Sequence, residues 1–273
     1  MAQQAGRTAG ALLAARIAEQ AAVLAGLEAA VRADEPDAVH RMRVASRRLR
    51  SALRAYGPPL REVVGELRWL ASVLGLARDS EVLGARLLAQ AGALPPECGR
   101  DELVTRLTRW SRELSERARP EVQAALDGPR YAALLARLAA EPPPGDGLPA
   151  LSELARREQR RVAARLKAAV GGPDGDRELH EARKAAKWAR YLGETAGLPA
   201  DGFTARMKAL QELLGEHQDS VVARAALLGL ARDHPEEGFG YGVLYGGQLA
   251  VAERVRERLP DVRRRLRKAA TWE

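Results

Sequence analysis

His40, Arg43, Arg47, Arg50 and Arg54 follow one another at steps of 3, 4, 3 and 4 residues. On an α-helix those steps stay on one face, with successive turns about 5.4 Å apart. The surrounding stretch, VHRMRVASRRLRSALRAY (Val39 to Tyr56), carries six arginines and a histidine, and no acid interrupts it between Asp37 and Glu62. Arginine's planar fork grips phosphate oxygens with two hydrogen bonds; lysine offers a mobile point charge. A histidine at the end of such a row donates from a ring nitrogen, and a bound phosphate favours its protonated form. A ladder of these groups suits a polyanion of closely repeated charge better than a lone phosphate, which needs only about two or three donors. Like charges at i,i+4 destabilise an isolated helix by roughly 0.2–0.5 kcal/mol per pair. A helix that only had to be solvated would mix signs, although a basic face paired with acids from other helices is the plain competing reading.

The row returns further along the chain. At a shift of 140 residues, His40 meets His180, Arg43 meets Arg183, Arg47 meets Lys187 and Arg50 meets Arg190. Lys184 joins the second face. Beside the first row runs an apolar stripe of Val39, Met42, Leu49 and Leu53; beside the second run Leu179, Ala182, Ala186 and Ala189. The same shift aligns LGLARDSEV (Leu74 to Val82) with LGEHQDSVV (Leu214 to Val222). Repetition of a costly pattern implies a shared ligand and two similar helical halves, related by a pseudo-two-fold axis.

These matched Gly-Asp-Ser elements read first as helix punctuation: Gly75 and Gly215 end or kink a helix, and Asp79 and Asp219 cap the next. A second, compatible reading has each carboxylate orient an Arg or His of its row. A Mg²⁺ site wants convergent carboxylates, and only one acid per half stands in a repeated position. No metal and no cofactor is expected. Asp233-His234 lacks a second pair, and Cys98 lacks a Cys-His arrangement.

The elements that must hold these rows are helical throughout. Residues 8–33 are rich in Ala and Leu, as for a helix buried on a wide face. Pro36, after Asp34, opens a helix that runs to Tyr56, where Gly57-Pro58-Pro59 stops it. A third helix ends near Leu74, a fourth covers 79–91, and others cover 97–118 and 129–140. Glu141 to Pro149 (EPPPGDGLP) is a linker. Helices resume at 150–170, 176–196, 200–214, 219–233, 237–258 and 260–270. In the glycine-rich stretch Gly238–Gly247 the helix reading competes with glycines set for close contact. No segment alternates as a strand does. The expectation is an all-α fold: one domain over 1–273, with halves at 1–140 and 150–273 joined by 141–149.

Composition narrows the partners. The chain has 273 residues, 46% of them hydrophobic, which supports a real core. A net charge of +8 favours an anionic partner. Aromatics at 4% weaken single-strand nucleic-acid binding, which stacks bases on rings. A single cysteine, Cys98, fits a reducing, cytoplasmic setting. Arg7, Arg16 and Glu19 break the apolar N-terminal run, so no membrane span is expected.

VHRMRVASRRLRSALRAY, LHEARKAAKWARYLGE and the two LG-x-x-x-DS-x-V elements resemble the CHAD family, the histidine-bearing α-helical domain. The resemblance covers nearly the whole chain. It implies two four-helix-bundle-like halves and a basic surface or pore that binds inorganic polyphosphate, without catalysis. Its implied ligands are His40, Arg43, Arg47, Arg50 and Arg54 in the first half, and His180, Arg183, Lys184, Lys187 and Arg190 in the second. Arg41, Arg48, Arg78, Arg160, Arg161, Arg165 and Lys208 are auxiliary contacts; Gly75, Asp79, Gly215 and Asp219 are structural or orienting. Polyphosphate granules and their proteins are the further partners and location it implies. Glu181, Ala189 and Gln218 stand where the first half has Arg41, Leu49 and Arg78, which predicts either weaker binding by the second row or its reliance on Arg160, Arg161 and Arg165. Two competitors remain: a phosphate-transferring enzyme using His40, His180, Asp79 and Asp219, and a sequence-blind nucleic-acid binder.

Overall fold

A computed structural model describes residues 8–140, 145, 147–171, 175–198 and 202–268. Of the expected linker, residues 141–144 and 146 lie outside the described residues, as do 200–201 and 269–270 of two expected helices. The described residues form an all-α fold without a strand. Its α-helices are α1 Ala9–Gly26, α2 Glu28–Arg32, α3 Ala38–Arg54, α4 Arg61–Gly92, α5 Arg100–Asp127, α6 Pro129–Ala139, α7 Leu151–Gly171, α8 Gly175–Thr195, α9 Phe203–Asp233 and α10 Gly238–Lys268.

The chain divides into two compact units. The first comprises Met1–Ser80, Leu114–Arg156 and Trp188–Thr204; the second comprises Glu81–Glu113, Arg157–Lys187 and Ala205–Glu273. Each therefore draws on both the 1–140 and the 150–273 segments of the sequence.

In the first unit α1 packs on α3 and α6. Thr8 starts α1 by accepting a hydrogen bond from the Ala11 N–H at 3.2 Å, a cap that satisfies an orphan donor. The Ala9–Arg32 stretch is apolar and long enough, by length and composition, to cross a membrane. Here Leu13, Ile17, Leu24 and Val31 along it are buried in the unit's core. They meet Met42, Leu49 and Leu53 of α3, the apolar stripe expected beside the basic row. Burying each such side chain contributes about 1.5–3 kcal/mol. Of the stripe only Val39 stays half-buried. The entry to α3 differs from expectation. The helix begins at Ala38 rather than at Pro36, and Asp34 and Asp37 both take left-handed backbone angles (φ 57° and 62°). Aspartate tolerates that conformation better than most residues.

The second unit has its own core, in which Leu87, Leu103, Leu107, Leu227 and Tyr241 are buried. Leu179, Ala182 and Ala186 of α8, in the same unit, are buried as expected; Ala189, also buried, belongs to the first unit. The glycine-rich start of α10 is helical. At Gly240 a side chain would come 3.0 Å from the Cys98 carbonyl oxygen, so the close-contact reading also holds there.

Four expected breaks are absent. Gly75 and Asp79 lie inside α4, and Gly215 and Asp219 inside α9, so none of them ends or caps a helix. Pro260 lies inside α10, and Pro120 inside α5 beyond the expected end at 118. A proline removes one helix hydrogen bond and crowds the carbonyl four residues back. Burial outweighs this: Ala118, Val122 and Leu126 are buried around the first proline, and Leu259 and Leu266 around the second.

Candidate functional site

α3 carries the first row on the face beside its buried stripe, so each cation is half-buried or exposed, never interior. Arg50 sits deepest in charge. Burial pushes its guanidinium below the ordinary arginine range, and the neighbouring Arg68, Arg47 and Arg54 push the same way. No carboxylate pairs with Arg50 among the described residues. Arg68, on α4, was not anticipated. Its signal was available in the repeat, since 68 + 140 = 208 is the position of Lys208.

His40 begins the row, half-buried. Burial lowers its pKa from the ordinary histidine value; Asp37 opposes, and Arg78, Arg47 and Arg43 reinforce. Arg43 is held differently. Its Nη1 donates to Asp79 Oδ1 at 2.6 Å and its Nη2 to Asp79 Oδ2 at 3.1 Å. The guanidinium lies on the bare backbone of Gly75, where a Cβ would sit 3.4 Å from Arg43 Nη2. Gly75 thus lies beneath the Arg43 guanidinium, and Asp79, one turn later on the same helix, accepts from both of its terminal nitrogens. Arg54 stacks over the Trp188 ring at 3.8 Å, and the Trp188 indole N–H donates to the Ser51 carbonyl at 3.3 Å. Arg78 lies 3.9 Å from Asp37, and Arg41 is exposed. Glu194 was also not foreseen. It lies 3.2 Å from Arg190 and 4.0 Å from Arg48, so an expected ligand and an auxiliary one have a protein counter-ion.

α8 carries the second row, with His180, Arg183, Lys184 and Lys187 in the second unit and Arg190 in the first. His180 Nδ1 lies 2.7 Å from Gln218 Oε1, and since an amide oxygen only accepts, the ring N–H donates. Arg183 repeats the glycine arrangement: a Cβ on Gly215 would lie 3.6 Å from its Nε. Unlike Arg43, it has no carboxylate partner among the described residues, and its Nε is shut away without a hydrogen bond. Asp219 faces Arg86 at 3.7 Å. Lys184 pairs with Glu181. Lys187 is half-buried. Of the auxiliary cations, Arg165 pairs with Glu178 at 3.0 Å, Arg161 lies 3.9 Å from Glu158, and Lys208 lies 3.8 Å from Glu212. Arg160 is exposed.

A charge cluster on α8, α9 and α10, gathered around a buried histidine, went unread in the sequence. His217 is buried, with Nε2 3.3 Å from Asp176 Oδ1. Arg256 and Arg224 approach the same carboxylate at 2.5 and 3.4 Å. Burial lowers the His217 pKa; Asp176 opposes, and the two arginines reinforce. At Asp176 burial acts upward, but the Arg256 hydrogen bond and the surrounding positive charge prevail, holding the carboxyl below its usual range. Among the described residues, one group could present metal ligands within 4.8 Å of one another: His234, Glu236 and Glu237. The Arg106 guanidinium already donates to Glu236 and Glu237, at 3.0 and 3.1 Å.

Comparison with known proteins agrees with this architecture. The chain is 39% identical to the Mycobacterium tuberculosis proteins Rv2226 and MT2285 over 273 residues, covering 93% of this chain and 52% of each relative. It therefore spans about half the length of these curated relatives. PptA from Streptomyces chartreusis has the same fold, with a TM-score of 0.78 at 22% identity, over 93% of this chain and 98% of that one. The CHAD domain from the plant Ricinus communis matches with a TM-score of 0.71 at 24% identity, over 98% and 94%. The model of the CHAD domain matches residues 15–228, which include both rows and both glycine–aspartate elements. The chain belongs to the CHAD domain family.

Proposed function

We propose that the chain is a non-catalytic module that binds inorganic polyphosphate through its two basic rows, in a reducing, cytoplasmic setting. The observation that carries this reading is Arg50, a half-buried guanidinium among Arg68, Arg47 and Arg54 with no described carboxylate beside it. A fold that leaves such a group without a counter-ion has its electrostatic cost relieved when an anion arrives. Arg183 supports the reading from the second unit, positioned over Gly215 and likewise without a carboxylate. A linear phosphate polymer offers charge at the closely repeated spacing that helical rows of arginine match.

The test is titration of the purified chain with polyphosphate of defined length, against triphosphate and duplex DNA, with and without Mg²⁺. Charge-assisted hydrogen bonds contribute about 1.5–3 kcal/mol each. The folded Arg50→Ala/Arg183→Ala double variant should therefore lose at least roughly tenfold in affinity. Undiminished binding by that variant would remove the rows from the site. Mg²⁺-dependent release of orthophosphate, abolished by Asp79→Asn or Asp219→Asn, would make the chain an enzyme instead. Displacement by DNA at equal charge concentration would make it a general polyanion binder.

A further inference from the structure

Arg43 and Arg183 are repeats of one device, an arginine laid on a mid-helix glycine, yet they differ in what faces the guanidinium. In the first unit Asp79 takes both terminal nitrogens of Arg43, at 2.6 and 3.1 Å. The remaining edge is closed as well, because Arg43 Nε is buried without a hydrogen-bond partner. The Arg43 side chain is only 19% exposed, whereas that of Asp79 is 67% exposed. The arginine is thus held in place by packing while the acid reaches it from the solvent side. A phosphate that approached Arg43 would find the two-pronged face of the guanidinium already filled.

We propose that Asp79 is a built-in competitor for the phosphate, occupying the fork of Arg43 and setting the affinity of the first row. This rests on the polyphosphate reading above. Arg43 contributes as a ligand only when the polymer displaces the Asp79 carboxylate. Arg183, with no carboxylate on its fork, engages without that exchange. Loss of Asp79 then strengthens the first row, and the gain depends on Arg43 being present.

The experiment is a double-mutant cycle on the full chain, read by polyphosphate titration at fixed salt. An exposed ion pair of this kind contributes up to about 1 kcal/mol, so Asp79→Asn should tighten binding by about two- to fivefold. In an Arg43→Gln background the same change should give no more than the control, Glu62→Gln. Glu62 is an exposed acid of the same unit, 2.8 Å from Arg137. The control reports what removal of any one negative charge does. Equal gains with and without Arg43, or a gain no larger than that of Glu62→Gln, would overturn the proposal, as would weaker binding by Asp79→Asn. Circular dichroism establishes folding, and Asp79→Ser serves if the Asn variant does not fold. Wild-type chain that fails to bind polyphosphate at all would defeat the underlying reading instead, which keeps the two failures distinct.

Discussion

At the scale of single residues, Arg43, Arg54 and Arg50 of one row meet different surroundings: a carboxylate, an indole ring and other guanidiniums. Helical spacing alone put His40, Arg43, Arg47, Arg50 and Arg54 on one face. It could not show that Arg54 stacks on Trp188, whereas the Arg190–Glu194 pair, at i,i+4 on α8, was within its reach. The stack supplies a native reporter: polyphosphate that draws Arg54 off the ring should change Trp188 fluorescence, and Trp188→Phe should abolish that change. If the rows bind polyphosphate, His40 should make that binding depend on pH. Burial and nearby arginines keep its free pKa low, and a bound phosphate raises it. Binding should therefore take up a proton as pH falls from the bound-state value towards the depressed free one, and affinity should rise in that window. Calorimetry in buffers of different ionisation enthalpy measures the uptake, which His40→Gln should remove. His217 acts on stability with the opposite sense. Its folded pKa is depressed, so its contribution is full above about 6.5 and is lost as pH falls through the folded value. The melting temperature should drop from pH 7.5 towards pH 5, and His217→Gln should flatten that drop.

At the scale of elements, the matched glycines looked like helix ends because Gly is the commonest residue just past one. α4 and α9 instead run straight through Gly75 and Gly215, which lie beneath Arg43 and Arg183. A methyl group there would make ordinary contact with the arginine, at 3.4 and 3.6 Å. Gly215→Ala should therefore keep polyphosphate binding and gain up to about 1 kcal/mol from helix propensity, measured by denaturant unfolding. Gly215→Leu should lift Arg183 and weaken binding. Gly84 behaves differently. A Cβ there would fall 2.0 Å from Ser111 Oγ and 2.8 Å from Ser111 Cβ. Gly84→Ala should lower the melting temperature despite better propensity, because overpacking costs typically 1–3 kcal/mol.

At the scale of the whole molecule, the charge of +8 is a sequence property and so is its consequence, attraction to polyanions that weakens with salt. Whether that attraction is selective depends on particular groups, and the comparison of polyphosphate with DNA measures it. The helical class, the position of both rows and their buried stripes followed from the sequence by itself. Periodicity along a helix is local, and each residue's face is set by its neighbours within two turns. Tertiary structure alone decided the pairing of Arg43 and the stacking of Arg54. Asp79 lies 36 positions from Arg43, and Trp188 lies 137 from Ser51, whose carbonyl holds its indole beneath Arg54. No period links residues so far apart, so only the folded chain determines that Arg43 is paired and that Arg50, among the described residues, is not.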